Sequence, residues 1–470
     1  MKKEICCIGA GYVGGPTMAV IAFKCPEYNV TVVDINKERI KEWNGDINKL
    51  PIYEPGLKEI VKKTRNKNLF FSDDIDKAIE NSTIIFMAVN TPTKDYGEGK
   101  GMATDLTYVE DCSKRISKVS TSDKIVVEKS TAPIGTAEKI KKTLSSNNNN
   151  VKFEVISNPE FLAEGSAIDD LINPDRVLIG GDQTSSGKEA IKEVTSIYSH
   201  WVSHEKIITT NLWSSELSKL ASNAFLAQRV SSINSLSALC EESGANIQEV
   251  SKAVGADTRI GNKFLEASVG FGGSCFKKDI LNLVYLCKFY GLDEVSEYWH
   301  QVIKINDYQK NRFANRIVSS LNGTVNNKVI TLLGWAFKKD TNDSRESASI
   351  DIANCLLTEG AIINIYDPMV SNELIYDDLG NKFKSIGLDD KRIESKINRV
   401  NVFDDIYKAV ENTFCMSILT EWDEFKDINW SKIVKLTDNP IFVADGRNII
   451  KYELSDSLID KYISIGNPKK

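Results

Sequence analysis

Short, continuous apolar runs set the rhythm of the first half of the chain. They recur at positions 4–8, 30–33, 69–71, 84–89, 125–127, 153–156 and 177–179, with amphipathic stretches between most of them. Unbroken runs of this length read as strands buried on both faces, so the alternation predicts a parallel sheet covered by helices, with ligand sites at the strand C-terminal ends. From about Trp213 to Ser243 the period changes to three and four, and Leu217, Leu220, Ala221, Ala224 and Phe225 are predicted to form the buried stripe of a helix. Helical text resumes from about Asp279 to Tyr290 and from Glu294 to about Leu321, and a boundary is expected at Asn322-Gly323. The strand pattern then restarts at 329–333, 361–366, 402–403, 415–419 and 441–443, with Asp445-Gly446-Arg447 expected to end the final strand.

The loops give the runs their chemistry. The first run ends in Gly9-Ala10-Gly11-Tyr12-Val13-Gly14, a helix-like stretch follows to about Phe23, and the second run ends in Asp34. Strand, glycine turn, helix, strand and an acid about 20 residues on form a dinucleotide fingerprint, in which backbone N–H groups meet the pyrophosphate and the acid holds the ribose 2′-OH. An acid repels a 2′-phosphate, which favours NAD over NADP. Pro16 fits only if it falls in the first helical turns. Three later strands end in Val89-Asn90-Thr91-Pro92-Thr93, in Glu128-Lys129-Ser130-Thr131-Ala132-Pro133 and in the polar stretch 157–165. Each is either a site loop or a generic turn. The last third repeats the strand-and-acid pattern with Gly334-Trp335-Ala336-Phe337-Lys338 and Asp367, but without G-x-G-x-x-G, so it is expected to hold a different nucleotide. Lys338 and Arg447 are phosphate or base contacts there, or plain surface cations. The predicted class is α/β: two Rossmann-like domains joined by a long helical connector, with residues 1–210, 211–322 and 323–470 as domains, in keeping with the length of 470 residues.

Composition narrows the setting. A net charge of −6 excludes a broad electrostatic footprint for nucleic acid, and no apolar run approaches the roughly 18 residues that span a membrane. The N-terminus is broken by glycines too early for a secretory signal, and the low-complexity tip at 145–150 carries no chemistry. Nine cysteines without a C-x-x-C pair suit a reducing compartment, so a cytoplasmic protein with no metal site is expected. Only three histidines are present, none near these motifs, which turns attention to Gly270-Phe271-Gly272-Gly273-Ser274-Cys275. Three glycines make a turn over which no side chain stands, Ser274 is placed to cap a helix, and Cys275 takes the first helical position, where the dipole favours a thiolate. Its alternative is a buried structural cysteine. Lys219 and Asn223 share one face of the predicted helix. Lys219 taken alone could be a solvated partner of Glu216, whereas Asn223 is a poor helix-interior residue beside apolar neighbours.

Five blocks together carry a resemblance over essentially the whole chain: Gly9 to Gly14, Glu128 to Thr131, Asn158-Pro159-Glu160-Phe161-Leu162-Ala163-Glu164-Gly165, Lys219 with Asn223, and Phe271 to Phe276. In this order they resemble the UDP-glucose 6-dehydrogenases in their eukaryotic-type form. Departures are small: Ala132, Trp335 and Ala444 replace commoner residues, none of them reactive, and the chain ends at Lys470 without the longer tail of animal members. The resemblance implies oxidation of the C6 alcohol of UDP-glucose to UDP-glucuronate with reduction of two NAD, no nucleic-acid or membrane partner, and a homo-oligomer with a dimer as building block and a hexamer as one outcome.

The same resemblance implies a cofactor site of Gly9, Gly11, Tyr12, Val13, Gly14, Asp34, Arg39, Val89, Asn90, Thr91, Ser130, Thr131, Glu164 and Arg345. It implies a substrate site of Glu160, Phe161, Leu162, Ala163, Glu164, Gly165, Lys219, Asn223, Arg259, Phe271, Gly272, Gly273, Lys338 and Arg447, with Arg259 reaching a neighbouring subunit. Gly272 and Gly273 are expected to let the sugar approach the backbone. Oxidising an alcohol to an acid moves four electrons, and the second hydride needs a tetrahedral adduct, which a thiolate at Cys275 supplies. An ordinary thiol is only about 3% ionised at pH 7, and a helix end shifts that by under about one pKa unit, so a neighbouring cation is needed. Lys219 is the candidate. Asp279 is expected to orient Lys219 or relay a proton, Glu160 to act as base in thioester hydrolysis with a raised pKa, and Thr131 and Asn223 to hold water or the oxyanion. Dehydrogenases of GDP-mannose or a UDP-N-acetylhexosamine share most of this pattern, a hydroxyacid dehydrogenase shares less, and a noncatalytic nucleotide-sugar sensor would have no use for the reactive groups.

Overall fold

The computed structural model describes residues 3–146, 150–437, 441–450 and 461–468, so positions 147–149 of the asparagine tip lie outside it. The chain divides into two compact units: residues up to Ser222 together with Leu281–Leu286, and Asn223–Ile280 together with the chain from Cys287.

The first unit is built on eight strands: β1 (Lys3–Ile8), β2 (Tyr28–Val33), β3 (Leu69–Ser72), β4 (Ile84–Met87), β5 (Lys124–Glu128), β6 (Phe153–Ser157), β7 (Val177–Gly181) and β8 (Ile207–Thr210). Their order is β3-β2-β1-β4-β5-β6-β7-β8, so the chain changes direction across the sheet between β1 and β4, where doubly wound folds open their ligand crevice. Along β1, Ile5 and Cys7 join the apolar cluster on one face while Cys6 and Ile8 join that on the other, which is why the run reads as continuous. Two features depart from the sequence reading. β7 runs antiparallel to β6, and the link between them, 158–176, carries the short helix Ala167–Ile172 in place of a full crossover helix. β8 was not expected at all, since Ile208 and Thr209 face solvent and leave no apolar run to read.

The second unit carries six parallel strands, β9 (Val329–Leu333), β10 (Ile362–Tyr366), β11 (Val400–Val402), β12 (Cys415–Ile418), β13 (Phe442–Asp445) and β14 (Lys461–Ser464), in the order β11-β10-β9-β12-β13-β14. β13 is therefore not the final strand; the polar text of β14 concealed it. Ile233, Phe313 and Ile317 from long helices join the apolar core of this sheet.

The helix Leu212–Ser243 forms as predicted, with its buried face rotated from the expected stripe: Leu220 and Ala224 are buried and Ala221 partly so. Leu217 and Phe225 are exposed, and the buried positions of its first half are Leu212, Ser215, Glu216, Lys219, Leu220, Asn223, Ala224 and Ala227. Apolar residues ring this helix, so spacing alone could not choose the stripe, and the face that is buried carries the polar groups. Among the described residues, no helix is long and apolar enough to cross a membrane.

Candidate active site

The glycine turn after β1 has the shape of a pyrophosphate cradle. Gly9 sits at φ 113°, and a Cβ there would lie 2.2 Å from the Ala88 carbonyl oxygen. A Cβ on Gly14 would lie 2.0 Å from the Gly9 oxygen, so both positions exclude any other residue. Gly11 differs: a Cβ there would meet only Arg39 Nη1, at 3.8 Å, and the space over its backbone stays open. The helix Gly14–Lys24 follows, with Val13 as N-cap, no acid in its first turn and Pro16 third, where no N–H is required. Asp34 accepts the Ala10 N–H and the Asn36 N–H, one on each oxygen and both at 2.8 Å, which leaves lone pairs for a ribose diol. Tyr12 donates its hydroxyl to the Tyr53 carbonyl at 2.8 Å. Two strand ends are tied together beside the turn: Ser130 donates to the Val89 oxygen at 2.6 Å and Thr91 to the Thr131 oxygen at 2.8 Å, with Asn90 exposed between. These residues fit an NAD molecule.

Glu160 lies at the centre of a second cluster in the same unit. Its carboxylate pairs with Lys129 Nζ at 2.9 Å, accepts the backbone N–H groups of Phe161 and Leu162 at 2.8 and 3.2 Å, and receives the Thr17 hydroxyl at 3.5 Å. Burial alone would raise its pKa, but the Lys129 charge and hydrogen bond, the Phe161 N–H and the Lys219 charge outweigh it and hold the group below the ordinary glutamate value. The raised pKa expected for this residue is thus reversed. Lys129 itself is raised: burial lowers it, and the charges of Glu160 and Tyr198 overcome that. Tyr198 completes the network by donating to Asn158 at 2.6 Å. The sequence assigned no role to Lys129, whose signal is a lysine directly after a buried strand.

Lys219 is 7% exposed, with Nζ 5.2 Å from the Phe161 ring centre, so the solvated reading does not hold. Arg176 stacks on the same ring at 3.9 Å. The loop of Leu162, Ala163, Glu164 and Gly165 is held by Glu54, which sequence reasoning missed; it accepts from Gly165 N at 2.7 Å and Ala167 N at 3.1 Å.

The direction of the Glu160 and Lys129 shifts sets a pH window. The depressed carboxyl adds stability that is present above its unfolded pKa and lost as pH falls through the folded one; the raised lysine adds stability present below its unfolded pKa and lost as pH rises through the folded one. Lys129→Met removes the main opponent of burial, so the Glu160 pKa rises. The acid limb of the kcat/KM profile is expected to move to higher pH; an unmoved limb would detach Glu160 from the rate.

In the second unit, Cys275 is the only exposed cysteine of nine, all of which are described and free. It precedes the helix Phe276–Phe289, and its carbonyl accepts the Asp279 N–H at 2.8 Å, the first bond of that helix. Cys275 is therefore itself the N-cap and Ser274 the residue before it, because the left-handed turn at Gly273 is followed by two turn residues before the helix starts. Ser274 Oγ lies 3.5 Å from the sulfur. A Cβ on Gly272 would lie 2.6 Å from the Glu346 oxygen, and one on Gly273 would lie 3.0 Å from the Phe337 ring. These glycines admit the 337–346 loop, a role different from the sugar contact expected of them. Gly273 N–H also donates to the Arg345 carbonyl at 2.8 Å. Arg345 points its guanidinium at Asp343, at 2.6 Å.

Asn306 brackets the Cys275 loop: it accepts the Phe271 N–H at 2.8 Å and donates to the Phe271 carbonyl at 3.0 Å. It carries the same signal as Asn223, an asparagine inside a helix. Asn306→Ala leaves two buried backbone groups unpaired, costing about 2–4 kcal/mol. The expected result is a lower thermal midpoint together with faster iodoacetamide labelling of Cys275; unchanged labelling would mean that the loop is held elsewhere. Asn223 donates to Asp279 at 2.6 Å, and Asp279, 1% exposed, has Lys278 Nζ at 3.9 Å.

The second sheet repeats the acid after its second strand but uses it differently. Asp367 accepts Trp335 N, Ala336 N and Trp422 Nε1 on one oxygen, at 2.6, 3.0 and 3.1 Å, and Met369 N and Val370 N on the other. A carboxylate has about four acceptor sites, so nothing remains for a ribose. A Cβ on Gly334 would strike Thr420 at 2.4 Å. This sheet has the strand pattern of the first without its dinucleotide chemistry. Arg447 is no surface cation: Nε donates to the Leu419 oxygen at 2.7 Å and Nη2 to the Phe337 oxygen at 2.9 Å. Lys338 is half-buried beside Phe337. Arg259 is 86% exposed in its side chain and pairs with Asp257 at 2.6 Å. In the second unit Arg447 bonds the Phe337 oxygen beside the Gly273 turn, whereas Arg259 pairs with its neighbour Asp257; Lys219 and Asn223 occupy successive turns of one helix.

Residues 3–202 match the NAD binding domain of the UDP-glucose/GDP-mannose dehydrogenase family, 213–308 its central domain and 331–452 its UDP binding domain. The chain belongs to the UDP-glucose/GDP-mannose dehydrogenase family. Among its members, a UDP-glucose 6-dehydrogenase of Glycine max is 57% identical over 469 residues, covering 99% of this chain and 97% of its own. One of Arabidopsis thaliana is 56% identical over 470 residues, with the same coverage. A solved UDP-glucose dehydrogenase of Pyrobaculum islandicum superposes with a TM-score of 0.82 at 28% identity, covering 99% of this chain and 98% of its own. The fold of this dehydrogenase family does not choose the sugar, since a UDP-D-ManNAc dehydrogenase of Pyrococcus horikoshii, 25% identical and covering 98% of this chain and 99% of its own, superposes with a TM-score of 0.78.

Proposed function

We infer that this chain catalyses the NAD-dependent four-electron oxidation of UDP-glucose to UDP-glucuronate. The observation that carries the reading is the single exposed thiol, Cys275, at a helix N-terminus in a chain more than half identical to UDP-glucose 6-dehydrogenases. NAD, when bound on the Gly9–Gly14 turn with its ribose at Asp34, accepts the hydride in each of two oxidations. The C6 alcohol loses a hydride and a proton and becomes an aldehyde. Cys275 Sγ then bonds to C6, and the thiohemiacetal loses a second hydride and its hydroxyl proton to leave a thioester. Water attacks that carbonyl, the C–S bond breaks, and the acid and the thiol are released.

Lys219 is the cation that favours thiolate and oxyanion, and Asp279, bonded to Asn223, orients the amide that with Thr131 holds water or the oxyanion. Glu160, ionised at neutral pH, is ready to accept the proton of the attacking water, which suits a base rather than an acid. Val89 to Thr91, Ser130, Arg39, Glu164 and Arg345 serve the cofactor; Phe161 to Gly165, the Gly272 loop, Lys338 and Arg447 serve the nucleotide sugar. Residues 1–210, 211–322 and 323–470 act as the NAD-binding, central dimerising and UDP-sugar-binding parts. The exposed Arg259 supports a homo-oligomer in which it reaches a neighbour, and nine unbridged cysteines support a cytoplasmic setting.

The test is NADH counted per UDP-glucose with and without an aldehyde trap, beside a panel of GDP-mannose and UDP-N-acetylhexosamines. Two NADH per UDP-glucose with nothing trapped is expected. A preference for another sugar, or one NADH per sugar, would overturn the assignment.

A further inference from the structure

Two buried carboxyl groups that this chemistry leaves unused face each other behind the Thr131 turn. Glu128 is the last residue of β5, and Glu216 lies on the second turn of the helix Leu212–Ser243, three residues before Lys219; each is 3% exposed. The helix Thr136–Leu144 starts from Gly135, at φ 90°, which has no side chain with which to cap it. Glu216 provides that cap from about eighty positions away. Its Oε2 accepts the Gly135 N–H and its Oε1 the Ala137 N–H, both at 2.7 Å. Free N–H groups and the dipole of a helix N-terminus both favour a carboxylate there. The neighbouring Ser215 ties the same turn to the sheet by donating to the Ser157 oxygen at 3.2 Å.

Glu128 lies against this same carboxylate, close enough to share a proton with it, and its Oε1 meets no donor. Two carboxylates cannot hydrogen-bond without a proton between them, and a second buried charge would repel the first. Both Glu216 oxygens already accept backbone N–H groups, so the proton belongs on Glu128. Burial, followed by the Glu216 charge, pushes the Glu128 carboxyl well above its ordinary value. For Glu216, burial outweighs the N–H bonds of Ala137, Gly135 and Thr136, with Glu138 adding a smaller push in the same direction.

We propose that Glu216, with Glu128 as its hydrogen-bond donor, is a positioning residue that fastens the turn bearing Lys219 to the N-terminus of the helix Thr136–Leu144, and so sets Lys219 against the Thr131 turn. The inference rests on the reading above in which Lys219 and Thr131 serve the oxidation. It assigns the two carboxyls opposite tolerances. Glu128→Gln still donates to Glu216. Glu216→Gln offers one oxygen to two N–H donors and turns its own NH2 group against the other.

The experiment measures kcat, KM for UDP-glucose and the NAD dissociation constant for Glu128→Gln, Glu216→Gln, Lys219→Ala and the Glu216→Gln/Lys219→Ala double variant. Glu128→Gln is expected within about twofold of wild type. Glu216→Gln is expected to lose roughly 10–100-fold in kcat, as a misplaced catalytic group does, with NAD affinity within about threefold. In the Lys219→Ala background it should lose little more, because its effect passes through Lys219. Should Glu216→Gln fail to fold, Glu216→Asp keeps the charge, shortens the reach and carries the same test. Losses that multiply in the double variant, equal sensitivity at both positions, or wild-type kcat in Glu216→Gln overturn the positioning role. A Lys219→Ala enzyme of full activity instead overturns the site reading beneath it, and the proposal with it.

Discussion

Cys275→Ser is expected to lower UDP-glucuronate formation at least about 1,000-fold, a loss of about 4 kcal/mol of transition-state stabilisation. A hydroxyl in the place of the thiol is ionised far less at neutral pH and adds poorly to an aldehyde, and an ester is a less reactive acyl intermediate than a thioester. The first oxidation needs no bond to sulfur. The variant should therefore still form aldehyde, and an amine trap should capture it while NADH falls from two toward one per sugar. Thermal stability should hardly change, because the thiol is exposed and its polar contact is the long one to Ser274 Oγ, at 3.5 Å. Two NADH per UDP-glucose at a near wild-type rate in this variant would exclude the covalent route.

Lys219→Ala is expected to cost roughly 100-fold in kcat while leaving NAD affinity within about twofold. The ammonium is nearly withdrawn from water, over the Phe161 ring, so its field on a developing oxyanion is screened far less than that of a surface lysine. It also helps to hold Glu160 ionised, so the acid limb of the pH–rate profile should rise in this variant too, though less than in Lys129→Met, since Lys129 is the larger contributor. Matching losses in kcat and NAD affinity, with a lowered thermal midpoint, would reveal a role in folding instead.

Glycine, proline and acid at set spacings are read well from a sequence because their meaning is local. Gly9, Gly14 and Asp34 act through backbone geometry within one β-α-β unit, and the structure has Gly9 at positive φ, no room for a Cβ on Gly14, and Asp34 bonded to the Ala10 N–H of the same turn. The helix Leu212–Ser243 was legible as a helix but only in part in its facing: Leu220 and Ala224 are buried, Leu217 and Phe225 are not. Its apolar residues surround the axis, and what selects the buried side is the packing partner, which no window of sequence contains. The same limit explains Lys129 with Glu160, Asn306 with Phe271 and Glu54 with Gly165, pairs separated by 31, 35 and 111 positions.

By itself, the amino-acid order determined the two α/β sheets, the dinucleotide turn and the chemical repertoire of one thiol, one lysine and a set of carboxylates, because periodicity and turn stereochemistry are properties of neighbouring residues. Only the tertiary structure decided that Cys275 is the exposed thiol and caps its helix, that Gly272 and Gly273 make room for a loop, that Asp367 has no lone pair left for a ribose, and that Glu160 is held ionised. Those outcomes depend on burial and on charges brought together from distant positions, and desolvation and Coulomb energy act through space, not along the chain.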